Sequence, residues 1–187
     1  MSEHGSTSST INERLSLIIG DRTHRVIGRM LANGIPATRT ERVLLTLTTT
    51  QEVLAEHPVE HPRSRAASIE VSTLAATYLH RFLLDPEWEF DDSEVSLGNG
   101  RADLTFRNVA TESWLVDEVK TSRGRGDETA LRPQMNRYLT GGVERWGDTF
   151  LGVRLCALAQ PRCSRLYLPT AKRSVALIDT SLAGGVA

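Results

Sequence analysis

Two short stretches decide the fold: residues 100–106 read GRADLTF, and residues 114–120 read WLVDEVK. Each is an apolar run of strand length beside turn-forming residues, which predicts a β-strand. The turn sequence GNG at 98–100 predicts that the first stretch forms a hairpin with a strand over residues 87–97. The centre of the chain is therefore expected to be a sheet of consecutive strands.

Helical patterns surround these strands, because apolar residues recur at helical spacing on either side of them. Helices are predicted over residues 11–33, 41–56, 64–84 and 128–146, and further strands over 150–158 and 165–168. The TLTTT run at 46–50 is β-prone and weakens the case for the second helix. Gly141-Gly142 predicts a weak interruption of the last helix.

This order of elements predicts an α/β protein with a helical region at its N-terminal side. The predicted division is a disordered tail over residues 1–10, a helical region over 11–62, an α/β core over 63–180 and a frayed end over 181–187. The length of 187 residues suits a domain that buries a real hydrophobic core.

Composition excludes several classes of protein. The formal net charge of −1 argues against a polybasic DNA-coating protein, but it does not exclude local patches of charge on the surface. The sequence lacks an apolar run of about 18 residues and the marks of a signal peptide, so no membrane contact and a cytoplasmic location are expected. Cys156 and Cys163 are too few for an iron–sulfur or structural zinc site, and reduced thiols are predicted.

The strand that ends in Lys120 carries unusual charges. Alternation places Glu118 and Lys120 on one face of it and Asp117 on the other. In an antiparallel pair, Asp103 of the preceding strand can lie beside Glu118. Converging carboxylates repel each other unless a cation separates them, and oxygen ligands suit Mg²⁺ or Mn²⁺. A neighbouring lysine can orient a metal-bound water, so the group predicts metal-assisted phosphodiester hydrolysis.

Asp103 followed by the Glu-Val-Lys sequence at 118–120 resembles the PD-(D/E)xK motif of a nuclease superfamily. The GRAD sequence at 100–103 is similar to the GxxD form of its RecB-like and Cas4-like members, and QMNRY at 134–138 matches their QxxxY element. Ala102 stands where the motif has proline. The Cas4-like cysteines and a P-loop are missing, which indicates a free-standing nuclease domain.

The resemblance implies a restriction-endonuclease-like αβββαβ core, with a mixed sheet flanked by helices and the N-terminal helical region added. It implies that Asp103, Glu118 and the Val119 carbonyl hold Mg²⁺ or Mn²⁺, while Lys120 positions the attacking water. The first core helix of such proteins often supplies a further metal ligand. Glu70 is the candidate, because it is the only carboxylate in that predicted helix.

The same resemblance implies that DNA is the substrate. Gln134 and Tyr138, four residues apart, project from one helix face and are expected to contact the scissile strand. Arg123 and Arg125, between glycines in a loop, are candidates for contacts to the DNA backbone, because the guanidinium fork matches phosphate.

Structural interpretations stand beside each of these assignments. A Glu-x-Lys pattern alone also fits a solvated sheet face, Glu70 fits a surface position, Tyr138 fits a half-buried core edge, and the arginine-rich loop fits plain solvation. Asp117 replaces Glu118 as a ligand only if the strand slips by one residue, which also displaces Lys120.

The alternative function is a nuclease-fold DNA-binding or structural subunit that is active only within a larger defence or repair complex. Residues 11–56 carry no catalytic signature, and they are candidates for a homodimerisation or docking element. A divalent-metal titration separates the alternatives, because a pure binding module has no ion site at Asp103 and Glu118.

Overall fold

A computed structural model describes residues 6–122, 128–169 and 175–176. The chain divides into two compact units, Met1–Thr77 and Tyr78–Ala187. This boundary falls inside the helix Ser64–Arg81, and the division predicted from the sequence, at residues 62 and 63, stays a prediction.

From residue 6 onward, the first unit contains three helices: α1 (Ser6–Ala32), α2 (Arg39–Glu56) and α3 (Ser64–Arg81), whose last turn belongs to the second unit. Helix α1 begins within the predicted tail. Thr38 caps α2 through a reciprocal pair of bonds with Glu41. The β-prone threonine run is helical, and Thr46 and Thr50 each donate their hydroxyl to the carbonyl four residues before them.

In the described residues of the second unit, six strands form a sheet, and one crossover helix, α4 (Glu128–Trp146), lies between β3 and β4. These strands lie in chain order, β1 to β6, and among the described pairs only β3–β4 is parallel. Their bounds are β1 Trp88–Leu97, β2 Gly100–Asn108, β3 Trp114–Lys120, β4 Phe150–Ala157, β5 Arg165–Tyr167 and β6 Val175–Ala176. The α/β class is therefore confirmed, and β6 is a strand that the sequence did not predict.

The core of the second unit lies between α4 and the sheet. It consists of Val95, Leu97, Ala102, Val116, Met135, Tyr138, Phe150, Val153, Leu155 and Tyr167. Strand β3 is central, and residues 115–119 are all buried, although two of them are carboxylates. The central strand thus buries two charged side chains at positions where burial of an apolar side chain would cost less free energy.

Gly141 and Gly142 do not interrupt α4, contrary to the sequence prediction, because they serve close packing. A Cβ atom on Gly141 would lie 2.6 Å from the main-chain nitrogen of Gly98, and one on Gly142 would lie 2.3 Å from the Phe150 ring. A Cβ atom on Gly100 would likewise lie 2.6 Å from the Tyr138 ring. Helix α4 therefore lies directly against the β1–β2 hairpin, which fixes where Tyr138 stands.

We expect Gly141→Ala to destabilise the protein by about 1–2 kcal/mol, because the clash with the hairpin main chain outweighs the better helix propensity of alanine. Urea unfolding measures the change. Thr140→Ala, at the exposed neighbouring position, is the control and should stay within about 0.5 kcal/mol of wild type. A Gly141→Ala protein as stable as the control would contradict the packing described.

Candidate active site at the end of strand β3

The charged residues singled out by the sequence gather at the C-terminal end of β3. Strand β4 runs parallel to it, with Glu118 opposite Leu155 and Lys120 opposite Ala157. Helix α4, which connects the two strands, lies over the face that carries Val116 and Glu118. Side chains from β2, β3 and α4 therefore meet at one end of the sheet.

Asp103 reaches β3 through its side chain. The β2–β3 ladder runs from Arg107–Trp114 to Leu104–Asp117, and Asp103 directly follows its last residue on β2. The Val119 N–H donates to Asp103 Oδ2 over 2.6 Å. This bond holds the half-buried Asp103 carboxylate against the peptide that joins Glu118 to Val119.

Glu118 is buried, with a side chain only 2% exposed. Its Oε1 atom accepts a hydrogen bond from Gln134 Nε2 at 2.7 Å and forms an ion pair with the Lys120 ammonium. The Lys120 side chain is 32% exposed, so it is only partly buried. These donors offset the cost of burying a carboxylate, which is large when the charge is isolated.

Gln134 and Tyr138 link Glu118 to the main chain of β2. Gln134 Nε2 also donates to the Tyr138 hydroxyl at 2.9 Å, and that hydroxyl donates to the Arg101 carbonyl at 2.6 Å. Tyr138 is only 3% exposed. The described bonds of this pair run to Glu118 and to β2, an arrangement that orients Glu118. Contact of Gln134 and Tyr138 with a substrate strand stays a prediction.

Both acidic groups act on Tyr138. Burial, then the negative charge of Glu118 and more weakly that of Asp103, raise the pKa of the Tyr138 phenol to about 12. The hydroxyl therefore keeps its proton throughout the physiological pH range. It remains a donor to the Arg101 carbonyl near neutral pH.

Three residues predicted for the site are not among these contacts. Glu70 lies on α3 in the first unit, with an exposed side chain. Arg123 and Arg125 fall in the segment 123–127, outside the described residues. Their predicted roles stay predictions.

The carboxylate donors at the site are those of Asp103 and Glu118. The Val119 carbonyl stays the predicted third ligand. Within residues 6–122, 128–169 and 175–176, no group of three or more His, Cys, Asp or Glu side chains is arranged to hold a metal ion. Two carboxylates with a main-chain carbonyl nevertheless fit Mg²⁺, which commonly takes one or two protein carboxylates and completes its shell with water and substrate phosphate. The donor set is thus compatible with a hard divalent ion shared with substrate.

The opposite face of β3 holds a buried network that the sequence analysis missed. Arg154 of β4 lies directly across from Asp117. Its Nε and Nη2 atoms donate to the two Asp117 oxygens over 2.8 and 2.6 Å, and the Tyr78 hydroxyl donates to Asp117 Oδ2 over 2.6 Å. Arg154 Nη2 also donates to the Phe82 carbonyl. A lone arginine within the apolar run FLGVRLCA at 150–157 was the available signal.

Burial and the neighbouring charges determine the protonation states of Arg154 and Tyr78 in this network. Burial acts to lower the pKa of Arg154, but the negative charge of Asp117 outweighs it and raises that pKa above its ordinary value. Burial raises the pKa of the Tyr78 phenol well above its ordinary value, with a further contribution from Asp117. Arg154 is thus a cation and Tyr78 a neutral donor at physiological pH.

No protein-family model, curated protein or solved structure matches the chain. The geometry of the site is therefore the basis for any functional assignment. Among the helices of the described residues, none has both the length and the apolar character needed to cross a bilayer.

We expect Arg154→Met to destabilise the protein by about 3–5 kcal/mol, because it leaves the Asp117 carboxylate buried without its cation. Chemical denaturation measures the loss. The control is Arg107→Met on β2, whose ion pair with Glu112 is exposed and should contribute less than about 1 kcal/mol. Equal losses in the two variants would contradict the role given to the buried pair.

The raised pKa of Tyr138 predicts a pH dependence of stability. The unfolded chain loses this phenolic proton near pH 10.0, whereas the folded protein keeps it to about pH 12. The associated stability is complete below pH 10.0 and is lost as pH rises through the folded pKa. We expect the free energy of unfolding to fall less steeply above pH 10.0 in Tyr138→Phe than in wild type. Identical slopes in alkaline urea titrations would refute the assignment.

Proposed function

We propose that the protein is a divalent-metal-dependent DNA nuclease that hydrolyses phosphodiester bonds with a metal-activated water. The observation that carries this proposal is the convergence of Asp103, Glu118 and Lys120 at the end of β3. The Val119 N–H ties Asp103 to this strand, and Lys120 and Gln134 both bond to Glu118. Two carboxylates and an ammonium group at one place suit hydrolysis of a phosphodiester. A buried charged group of this kind contributes little to the stability of a fold.

The architecture supports the same proposal. The elements α3, β1, β2, β3, α4 and β4 follow in the order αβββαβ, with the single parallel pair at β3–β4. This is the order expected of a restriction-endonuclease-like core in the PD-(D/E)xK superfamily. The GxxD aspartate lies on β2, the Glu-x-Lys sequence ends β3, and the QxxxY residues lie on α4. Each motif residue thus occupies the element that the proposed family membership requires.

In this proposal Asp103, Glu118 and the Val119 carbonyl hold Mg²⁺ or Mn²⁺. The ion supplies Lewis-acid polarisation of the phosphate and a water of lowered pKa. Lys120, the exposed cation of the site, orients that water and offsets charge that develops on the phosphate oxygens. Gln134 and Tyr138 hold Glu118 in place. Glu70 remains the proposed additional acidic ligand.

DNA is the proposed substrate, and the exposed arginines of α4 are suited to its backbone. Arg132, Arg137 and Arg145 are exposed on that helix. Arg123 and Arg125 remain predicted contacts. A cytoplasmic location fits the same proposal. The N-terminal helices remain the candidate surface for a homodimer or a partner protein.

Cleavage assays test the proposal directly. Purified protein is incubated with circular and linear DNA in Mg²⁺ or Mn²⁺, and with EDTA as the metal-free reference. We expect cleavage by wild type and a loss of at least about 100-fold in Asp103→Asn and Lys120→Ala, because each removes a charge that acts on the transition state. Glu70→Gln in the same assay tests whether this residue contributes to metal binding.

The chain offers matched controls for both changes. Lys172, outside the described residues, is the other lysine of the sequence, so Lys172→Ala controls for Lys120→Ala. Glu89→Gln, on the exposed side of β1, controls for removal of a carboxylate near the site. Equal cleavage by wild type and the site variants would refute the nuclease. DNA binding without cleavage and without a Mn²⁺ site would instead favour the DNA-binding subunit.

A further inference from the structure

The two faces of the β1–β2 hairpin exchange partway along its length. Val95 pairs with Ala102, and both belong to the core beneath α4. Leu104, two residues further along β2, pairs with Asp117, so these two side chains share a face. That is the face away from α4, on which Asp117 bonds to Arg154. Residues two apart on a regular strand lie on the same face, so the alternation of β2 is broken between Ala102 and Leu104.

The backbone of Glu94 accounts for this break. Glu94 lies between Ser93 and Val95, whose partners on β2 flank Asp103. Its φ is 57°, in the left-handed region that is strained for most L-residues with a side chain. A left-handed residue within a strand bends the strand and redirects the side chains around it. The hairpin therefore changes face at Glu94 on one strand and at Asp103 on the other.

Arg101 holds Glu94 in this conformation. Its Nε atom donates to the Glu94 carbonyl over 3.2 Å, and its Nη2 atom forms an ion pair with the Glu94 carboxylate. The ion pair joins exposed groups and contributes little. The other bond is made to the main chain, so a change of the side chain at position 94 leaves its acceptor in place. A strained backbone that its surroundings maintain is typical of functional sites.

The position of the Asp103 carboxylate depends on the change of face. A side chain on a regular strand stands roughly perpendicular to the sheet, whereas the main-chain N–H groups of a strand point along the sheet toward its neighbours. The Asp103 carboxylate accepts from the Val119 N–H over 2.6 Å. It therefore lies near the plane of the sheet, directed at β3 rather than away from the sheet surface.

The contact between the hairpin and α4 depends on the same change of face. A Cβ atom on Gly100 would lie 2.6 Å from the Tyr138 ring, and the Tyr138 hydroxyl donates to the Arg101 carbonyl. Regular alternation from Leu104 would turn Gly100 away from α4 and would place the Arg101 side chain toward Tyr138. The hydrogen bonds that lead from β2 through Tyr138 to Glu118 thus require the break.

We infer that Glu94 is a positioning residue: its left-handed backbone exchanges the faces of the hairpin and so directs the Asp103 carboxylate toward β3. The positioning claim stands on the sheet alone, and its consequence for metal binding rests on the proposed function. The backbone conformation of residue 94 carries this role, so the exposed Glu94 carboxylate is dispensable for it.

Four variants of the full chain separate the backbone of residue 94 from its side chain. Glu94→Val disfavours the left-handed region, because a β-branched residue is an outlier there. Glu94→Gly and Glu94→Asn favour that region. Glu94→Gln removes the charge and keeps a side chain of the same shape, so it is the control for loss of the carboxylate.

Stability is the first reading. At an ordinary strand position, glycine raises the unfolding equilibrium constant by about 2- to 5-fold. We expect that rise in Glu89→Gly, at an exposed and paired position of the same strand. We expect no rise in Glu94→Gly, because glycine adopts the left-handed conformation without strain.

The amide proton of Val119 gives the second reading. Its short bond to a carboxylate moves its NMR resonance downfield, and Asp103→Asn shows how much of that shift is due to the charge. We expect Glu94→Val to lose the downfield shift. Glu94→Gln, Glu94→Gly and Glu94→Asn should keep it.

Mn²⁺ affinity is the third reading. Loss of a contact that orients a metal ligand typically weakens binding by about 10- to 100-fold. We therefore expect Mn²⁺ to bind Glu94→Val at least ~10-fold more weakly than it binds Glu94→Gln. Glu94→Asn should bind Mn²⁺ as Glu94→Gln does, which a role of the carboxylate itself would not explain.

Loss of the downfield shift in Glu94→Val, together with weakened Mn²⁺ binding, supports the inference. It is overturned if either reading of Glu94→Val equals that of Glu94→Gln, or if glycine destabilises positions 89 and 94 equally. If Glu94→Val does not fold, Glu94→Thr is read by the same criteria. If wild type itself binds no Mn²⁺ and cleaves no DNA, the proposed nuclease fails, and the Val119 resonance and the glycine comparison then decide the positioning claim.

Discussion

Burial of two adjacent carboxylates in the central strand is the constraint on which the second unit depends. Each carboxylate needs donors on its own face of the sheet, because an isolated buried charge is very costly. Asp117 accepts hydrogen bonds from Arg154 and Tyr78, and Glu118 accepts them from Gln134 and Lys120. Arg154 lies on β4, Tyr78 at the end of α3 and Gln134 on α4, whereas Lys120 belongs to β3 itself. Satisfying two charges therefore ties the three elements to β3 and creates the site at its end.

Much of the fold was predictable, because it follows from local patterns. The hairpin over β1 and β2, the strand that ends in Lys120 and the bounds of α4 follow from apolar runs and turn residues. The predictions that failed required tertiary information. Local patterns do not indicate that Gly141 is needed for the approach of α4 to the hairpin, rather than being a defect of the helix. They also do not show that α3 continues from the helical unit into the sheet unit.

The candidate site was partly predictable for a similar reason. Asp103, Glu118 and Lys120 follow from strand alternation and antiparallel register, and the structure brings them together. The bond from Tyr138 to the Arg101 carbonyl depends on the distance between α4 and β2, which no periodicity encodes. Arg154 was overlooked because its partner lies 37 residues away in sequence, across the parallel pair. Its significance appears only when the register of β3 and β4 is known.

Under the proposed function, the Asp103 and Glu118 carboxylates form one divalent-ion site at the end of β3. Anomalous diffraction from a crystal grown with Mn²⁺ tests this proposal, since the signal locates the ion independently of activity. We expect a peak within coordination distance of oxygens from both carboxylates, and no peak there in Asp103→Asn crystals. A peak elsewhere in wild type, with none between Asp103 and Glu118, would contradict it.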